Sequence, residues 1–176
     1  LDWDATVPGS EHVLQALGGT FGACHTEYVL GSGGEPALIE VNDRMIGDHC
    51  DFVLADLLGT DLFELVLRLH LGERLPPGPP PRPVPGHAHA VVDYVVADRP
   101  GTLTMAPAGG PQPGAEPGVM LSYRPLRDIG EDIALTHANH DYLGVLSAIG
   151  ADRAAVDRSV AEVRATARWH ISCTPG

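Results

Sequence analysis

No lysine occurs among the 176 residues, and all 11 basic side chains are arginines. That absence removes a Schiff-base amine and a lysine clamp on phosphate from the chemistry this chain can supply. Positive charge is scarce altogether: 23 acidic residues against 11 basic ones give a net charge of −12. A nucleic-acid face needs clustered cations, and an anionic membrane surface repels such a chain, so neither is an expected partner. Cysteine is sparse too. Cys24, Cys50 and Cys173 stand far apart with no CxxC pair, which builds no disulfide framework and points to a reducing, cytoplasmic setting. No apolar run approaches the ~18 residues of a membrane span, and no signal-peptide pattern opens the chain. The chain starts Leu1-Asp2-Trp3-Asp4 without an initiator Met, as expected of the tail of a longer protein.

What is present supports a folded core, with 44% apolar residues. SEHVLQALG (10–18) has a helical apolar face of Val13, Leu14 and Leu17, with Ser10 as expected N-cap and Gly18 as terminator. Thr26–Leu30 and Ala37–Val41 read as a hairpin, its turn at Gly33-Gly34 suited to positive φ. A helical stretch from His49 breaks at Gly59. Asp61 then starts a second helix, with Glu64 three residues on in capping-box fashion and Leu62, Leu65, Val66 and Leu69 as its buried stripe. Gly72 closes it. PPGPPPRPVPG (76–86) reads as a stiff extended connector; its PxxP spacing would also suit an SH3-like partner. Beyond it, residues 89–97, 102–105, 119–123 and 142–150 read as strands, and 152–168 as a closing helix with Val156, Val160, Val163 and Ala167 on one face. The expected organisation is α+β: 1–75, a connector at 76–86, and a β-rich unit at 87–176.

The hairpin carries unusual polarity. With the turn centred between Gly33 and Gly34, position i faces 67 − i, so Glu27 faces Glu40. Opposed side chains stand about 4.5–5.5 Å apart at Cβ, where like charges repel. Splaying into water, protonation of one carboxyl, or a cation between them would each relieve that. Period-2 alternation puts Leu38, Glu40 and Asn42 on one face, with Ala37, Ile39 and Val41 on the other. Two carboxylates and an amide oxygen make a hard-oxygen set suited to Mg²⁺. Arg44, two residues on, offers a fork for a carboxylate or phosphate. On spacing alone, two readings stand: a solvated edge with ordinary surface charge, or a cation site.

These residues resemble the ATP-grasp superfamily. The matching segments are GACHTEYVL (22–30), ALIEVNDRMIGDH (37–49) and LLGTDLFELVLRLHLGE (57–73), with looser likeness as far as residue 172, including YLGVLSAIGAD (142–152). The "HTE…IEVN-x-R" form looks most like carboxylate–amine ligases of the L-amino-acid ligase and siderophore or natural-product type. The resemblance implies the C-terminal part of an ATP-grasp fold, an antiparallel sheet with helices followed by a small β-rich subdomain. It implies that ATP phosphorylates a carboxylate and that an amine or amino acid then displaces phosphate to form an amide. On that pattern Glu27, Glu40 and Asn42 match the Mg²⁺ ligands (Mn²⁺ is the alternative), Glu27 and Glu40 thereby also contacting the nucleotide. Arg44 matches the catalytic arginine, and His25, Asp48 and His49 lie where substrate is met. Asp43 departs from the pattern, which often has Pro there. The glycine-rich loop, the ATP-binding lysines and the adenine pocket of such enzymes precede this region, so the implied partners include a missing N-terminal portion, with a homodimer one open assembly. A biotin carboxylase-type or purine-type carboxylase and a non-catalytic remnant remain as alternatives.

Other motifs carry less. His87-x-His89 and His137-x-x-His140 lack partners at zinc-finger spacing and read as surface histidines. GSGG (31–34) lacks the lysine and helix of a phosphate loop. Cys24 and Cys50 read as structural.

Overall fold

A computed structural model describes residues 3–18, 21–33, 35–75, 78 and 81–172, with the side chains of 3–9 left aside. The segment divides into two compact units, Leu1–Asp51 with Asp61–Pro79, and Phe52–Thr60 with Pro80–Gly176. Gly34, Cys173 and part of the proline connector lie outside the described residues.

The first unit holds helix α1 (Trp3–Ala16), the antiparallel hairpin β1 (His25–Leu30) and β2 (Pro36–Asn42), and α3 (Leu62–His70); between them in the chain lies α2 (Cys50–Leu58). The helix expected to begin at Ser10 begins at Trp3, so Ser10 is not its cap. Its hydroxyl lies 2.9 Å from Tyr28 Oη and 3.4 Å from Thr26 Oγ1, a tertiary use that displaces the capping role. Gly18, at φ 76°, ends the helix as expected. Asp61 caps α3, its carboxylate accepting from Glu64 N at 2.9 Å. The apolar stripe of α3 is only half-buried.

The hairpin keeps the 67 − i register at its open end, pairing His25 with Asn42, Thr26 with Val41 and Glu27 with Glu40. Past Glu27 the register slips by one: Tyr28 pairs with Leu38 and Val29 with Ala37, leaving Ile39 as an extra residue. The expected alternation therefore holds from Glu40 to Asn42 and is broken at Leu38. Leu38, Ile39, Val29 and Leu30 are all exposed. The turn closes through Gly31 N to Glu35 O at 2.8 Å. Gly33 is not in the left-handed region; a Cβ there, or at Gly31, would meet the carboxylate end of the exposed Glu35 side chain, which can turn aside.

The second unit is organised by β8 (Tyr142–Gly150), an almost wholly buried strand. It lies between β3 (His89–Val96) and β6 (Met120–Pro125), with the short β5 (Gly110–Pro111) beyond β6, all antiparallel. β4 (Gly101–Met105) is flanked by β7 (Asp132–Ile133) and β9 (His170–Ser172) in a second sheet. Helix α4 (Arg153–Thr166), capped by Asp152 on Ala155 N at 2.8 Å, buries Val156, Val160 and Val163 in the core with Leu103, Leu121, Tyr123, Leu146 and Ile171. Each such aliphatic side chain contributes roughly 1.5–3 kcal/mol when fully withdrawn from water. Tyr123 is central: its hydroxyl donates to Leu143 O at 3.2 Å and accepts from Trp169 Nε1 at 3.0 Å. Burial raises its pKa, and the Trp169 bond partly opposes that.

Residues 52–60 join this unit for visible reasons. Val84 N donates to Leu57 O at 3.0 Å, His87 Nδ1 lies 3.2 Å from Asp56 O, and Arg124 sits 4.2 Å above the Phe52 ring. Gly59, at φ 59°, breaks α2 as expected; a Cβ there would meet Val84 Cγ1 at 2.6 Å. No helix among the described residues is long and apolar enough to cross a membrane.

Candidate functional site

The open end of the hairpin gathers four of the predicted residues. Ligand atoms of His25, Glu27 and Glu40 all lie within 4.8 Å of one another. Register explains this directly: residues 25 and 27 project to one face of β1, and their partners 42 and 40 project to the same face of β2. Asn42 Nδ2 donates to Glu40 Oε1 and lies 3.1 Å from His25 Nε2, which is itself 3.3 Å from Glu27 Oε1. Rotating the Asn42 amide by half a turn exchanges Nδ2 for Oδ1 at this point.

His25 Nδ1 lies 3.3 Å from the Arg44 carbonyl; with the hydrogen on Nδ1, Nε2 presents its lone pair to the cluster. An imidazole lone pair, two carboxylates and an amide converging from two neighbouring strands form a donor set that fits a divalent cation. Both carboxylates are exposed while His25 is half-buried, so a cation would be reached from the solvent side. No other cluster of three or more such side chains with ligand atoms this close occurs among the described residues.

Arg44 does not pair with these carboxylates. Its Nη1 donates to the carbonyls of its own loop, Met45 O at 3.0 Å and Ile46 O at 2.8 Å. Asp48 and His49 lie outside the metal cluster and have left-handed backbones, φ 48° and 65°, following Gly47 at φ 83°. Left-handed non-glycine residues cost on the order of 1–3 kcal/mol each and collect at functional loops. A hollow of about 560 Å³ in the same unit is lined by Leu14, Leu17, Phe21, Val41, Asp43 and Leu69 among others, and none of the predicted site residues lines it.

One residue at this loop escaped the sequence reading. Asp51, 6% exposed, accepts from Ile46 N at 3.1 Å and from Gly47 N at 2.7 Å. In the sequence it is an acid in the first turn of a helix, where acids are ordinary, and its partners are backbone amides that carry no residue-type signal.

Comparison with solved structures places this architecture. The chain superposes on an L-amino acid ligase from Bacillus licheniformis with a TM-score of 0.69 and 20% identity, covering 99% of this chain and 42% of the other. It matches a biotin carboxylase from Campylobacter jejuni, in a β,γ-ATP complex, at 0.68 and 17%, covering 97% and 37%. It matches the biotin carboxylase domain dimer of Hydrogenobacter thermophilus 2-oxoglutarate carboxylase, in complex with MgADP, ADP and bicarbonate, at 0.67 and 18%, with the same coverage. No family model matches the sequence, and no curated protein does. The fold is that of the C-terminal part of an ATP-grasp enzyme. The chain spans 37–42% of the length of these three solved chains, which are carboxylases and a ligase.

Proposed function

We propose that this chain carries the cation-binding and acid-activating part of an ATP-dependent carboxylate–amine ligase. The observation that supports it best is the direct pairing of Glu27 with Glu40, flanked by the His25–Asn42 pair and followed two residues later by Arg44. Glu27, Glu40 and Asn42 would hold Mg²⁺, and the imidazole of His25 beside them widens the choice towards Mn²⁺. When bound, the cation neutralises phosphate charge on ATP.

The chain's own groups then have distinct tasks. The substrate carboxylate attacks the γ-phosphorus, ADP leaves, and an acyl phosphate forms. Arg44 has Nε and Nη2 left for its oxygens, since both loop carbonyls are met by Nη1. The amine attacks the acyl carbon, phosphate departs with the bonding pair, and the nitrogen loses a proton. Asp48 suits the approach of a cationic amine, with His49 as a further substrate contact, while His25, expected there from the sequence, has both ring nitrogens turned to Arg44 O and the carboxylate cluster. Contacts that lysines and a glycine-rich loop make to ATP come from outside this chain, so on its own it should bind metal without turning over ATP. A cytoplasmic setting accords with ATP use.

The fold likeness to two biotin carboxylases supports a second reading, a bicarbonate-using carboxylase. Release of ADP by the protein that contains this chain separates the readings. The ligase reading expects Mg²⁺-dependent release stimulated by pairs of acid and amine substrates, abolished by Glu40→Gln and Asn42→Ala while melting is retained. Stimulation by bicarbonate instead selects the carboxylase. Metal binding with no nucleotide turnover under any substrate selects a non-catalytic remnant. Unchanged turnover in Glu40→Gln overturns the metal assignment.

A further inference from the structure

We infer that Asp51 is a positioning residue that holds Arg44 in place through two consecutive peptide groups; its kinetic consequence rests on the ligase reading, its structural consequence does not. The Met45–Ile46 peptide gives its carbonyl to Arg44 Nη1 at 3.0 Å and its N–H to Asp51 Oδ1 at 3.1 Å. The Ile46–Gly47 peptide does the same, carbonyl to Nη1 at 2.8 Å and N–H to Oδ2 at 2.7 Å. Guanidinium and carboxylate thus meet across two peptides, with each dipole's positive end on the anion and negative end on the cation. Hydrogen bonds in such a chain polarise one another, so each charge strengthens the other's hold on the loop.

Three features make this more than an ordinary loop closure. Asp51 is the one buried residue among those of the first unit whose burial is described. A charge withdrawn from water needs strong partners, and its partners here are two amides of this loop. Second, Nη1 carries two hydrogens and uses one on each carbonyl, so the opposite edge of the guanidinium, Nε and Nη2, is left for a planar oxyanion. Third, the loop beyond is left-handed for three residues in succession, Gly47 to His49, a backbone that needs an external tie.

The molecule contains its own comparison. Asp141 accepts from Thr136 N at 2.8 Å and His137 N at 2.7 Å, the same offsets of five and four residues. Asp51 closes its loop in the same way and carries Arg44 on the far side of the two peptides.

The test is hydrogen exchange of the Arg44 guanidinium by ¹⁵N-arginine NMR, assigned through Arg44→Lys. Slow exchange is expected in the parent and markedly faster exchange in Asp51→Asn, with Asp141→Asn leaving Arg44 as in the parent. Equal Arg44 exchange in parent and Asp51→Asn overturns the inference. Should Asp51→Asn not fold, the exposed Arg44→Ala serves: the Ile46 and Gly47 amides should then exchange faster, and unchanged exchange overturns it equally. In the ADP-release assay, Asp51→Asn should lower kcat about ten- to a hundredfold with little change in KM for ATP. Combined with Arg44→Ala it should be no slower than Arg44→Ala alone; multiplied losses would mean that Asp51 acts apart from Arg44. Absence of any ADP release in the parent would remove the ligase reading and leave the exchange measurement to decide the positioning role.

Discussion

Glu27 and Glu40 are direct partners across the first hairpin, at the last position before the register slips at Ile39. The slip matters for the pair. A bulge sets two residues of one strand against one of the other, so the pair sits where the ladder is locally bent.

Replacing either glutamate should therefore have opposite effects with and without metal. In chelator, Glu27→Gln should raise stability by about 0.2 kcal/mol, the low end for opposed like charges because both side chains are exposed. In millimolar Mn²⁺ the parent should melt higher than in chelator and the variant should not. Thermal unfolding with and without Mn²⁺ checks both; a variant less stable than the parent in chelator would mean that the pair is held by something other than a cation.

Much of this site is legible in the sequence because it depends on register. Two glycines fix the hairpin's centre, and subtraction from 67 then pairs Glu27 with Glu40 and His25 with Asn42. A cap is legible for the same local reason at Asp61, whereas Asp152, read as part of the last helix, proves to be its cap. Three things were not. The bulge falls at Ile39, a residue as much at home in a regular strand. Ser10 looks like a cap until Tyr28 takes its hydroxyl, a contact 18 residues away. The strands β5, β7 and β9, two to three residues long, owe their existence to the edges of β6 and β4 and not to any pattern of their own. Asp51 belongs with these, since a carboxylate bound by amides leaves its signature in the backbone.

Gly144→Ala should destabilise the second unit. A Cβ at Gly144 would fall within the hydroxyl end of the Tyr123 ring, which is fixed by Leu143 O and Trp169. The ring has no room to yield without breaking both bonds, so overpacking of about 1–3 kcal/mol is expected. Chemical denaturation measures it. Gly144→Ala combined with Tyr123→Phe should recover part of the loss, and no recovery would place the strain elsewhere.

Acid should loosen the loop before β8. The Thr136 amide holds the Asp141 carboxyl below its ordinary pKa; burial opposes this, and the Thr136 hydroxyl and His137 amide add to the lowering. A group that binds its proton more weakly when folded stabilises the fold above its unfolded pKa, about 4. That contribution is lost as pH falls through the lower folded value. The parent's melting temperature should thus fall more steeply below pH 4 than that of Asp141→Asn, which is less stable at neutral pH. Parallel curves would show that Asp141 does not contribute.

His25 should decide which cation the hairpin prefers. Its side chain is 13% exposed, its Nδ1 lies 3.3 Å from the Arg44 carbonyl, and Nε2 lies 3.3 Å from Glu27 and 3.1 Å from Asn42. An imidazole nitrogen favours transition metals, whereas carboxylate and amide oxygens serve Mg²⁺ equally well without it. His25→Ala should then weaken Mn²⁺ binding about tenfold or more while Mg²⁺ binding changes much less. Titration of the protein with each ion, by Mn²⁺ spin resonance and by Mg²⁺ competition, gives the two ratios. Equal losses for both ions would make His25 a support for Asn42 and not a ligand, and no loss for either would remove it from the site.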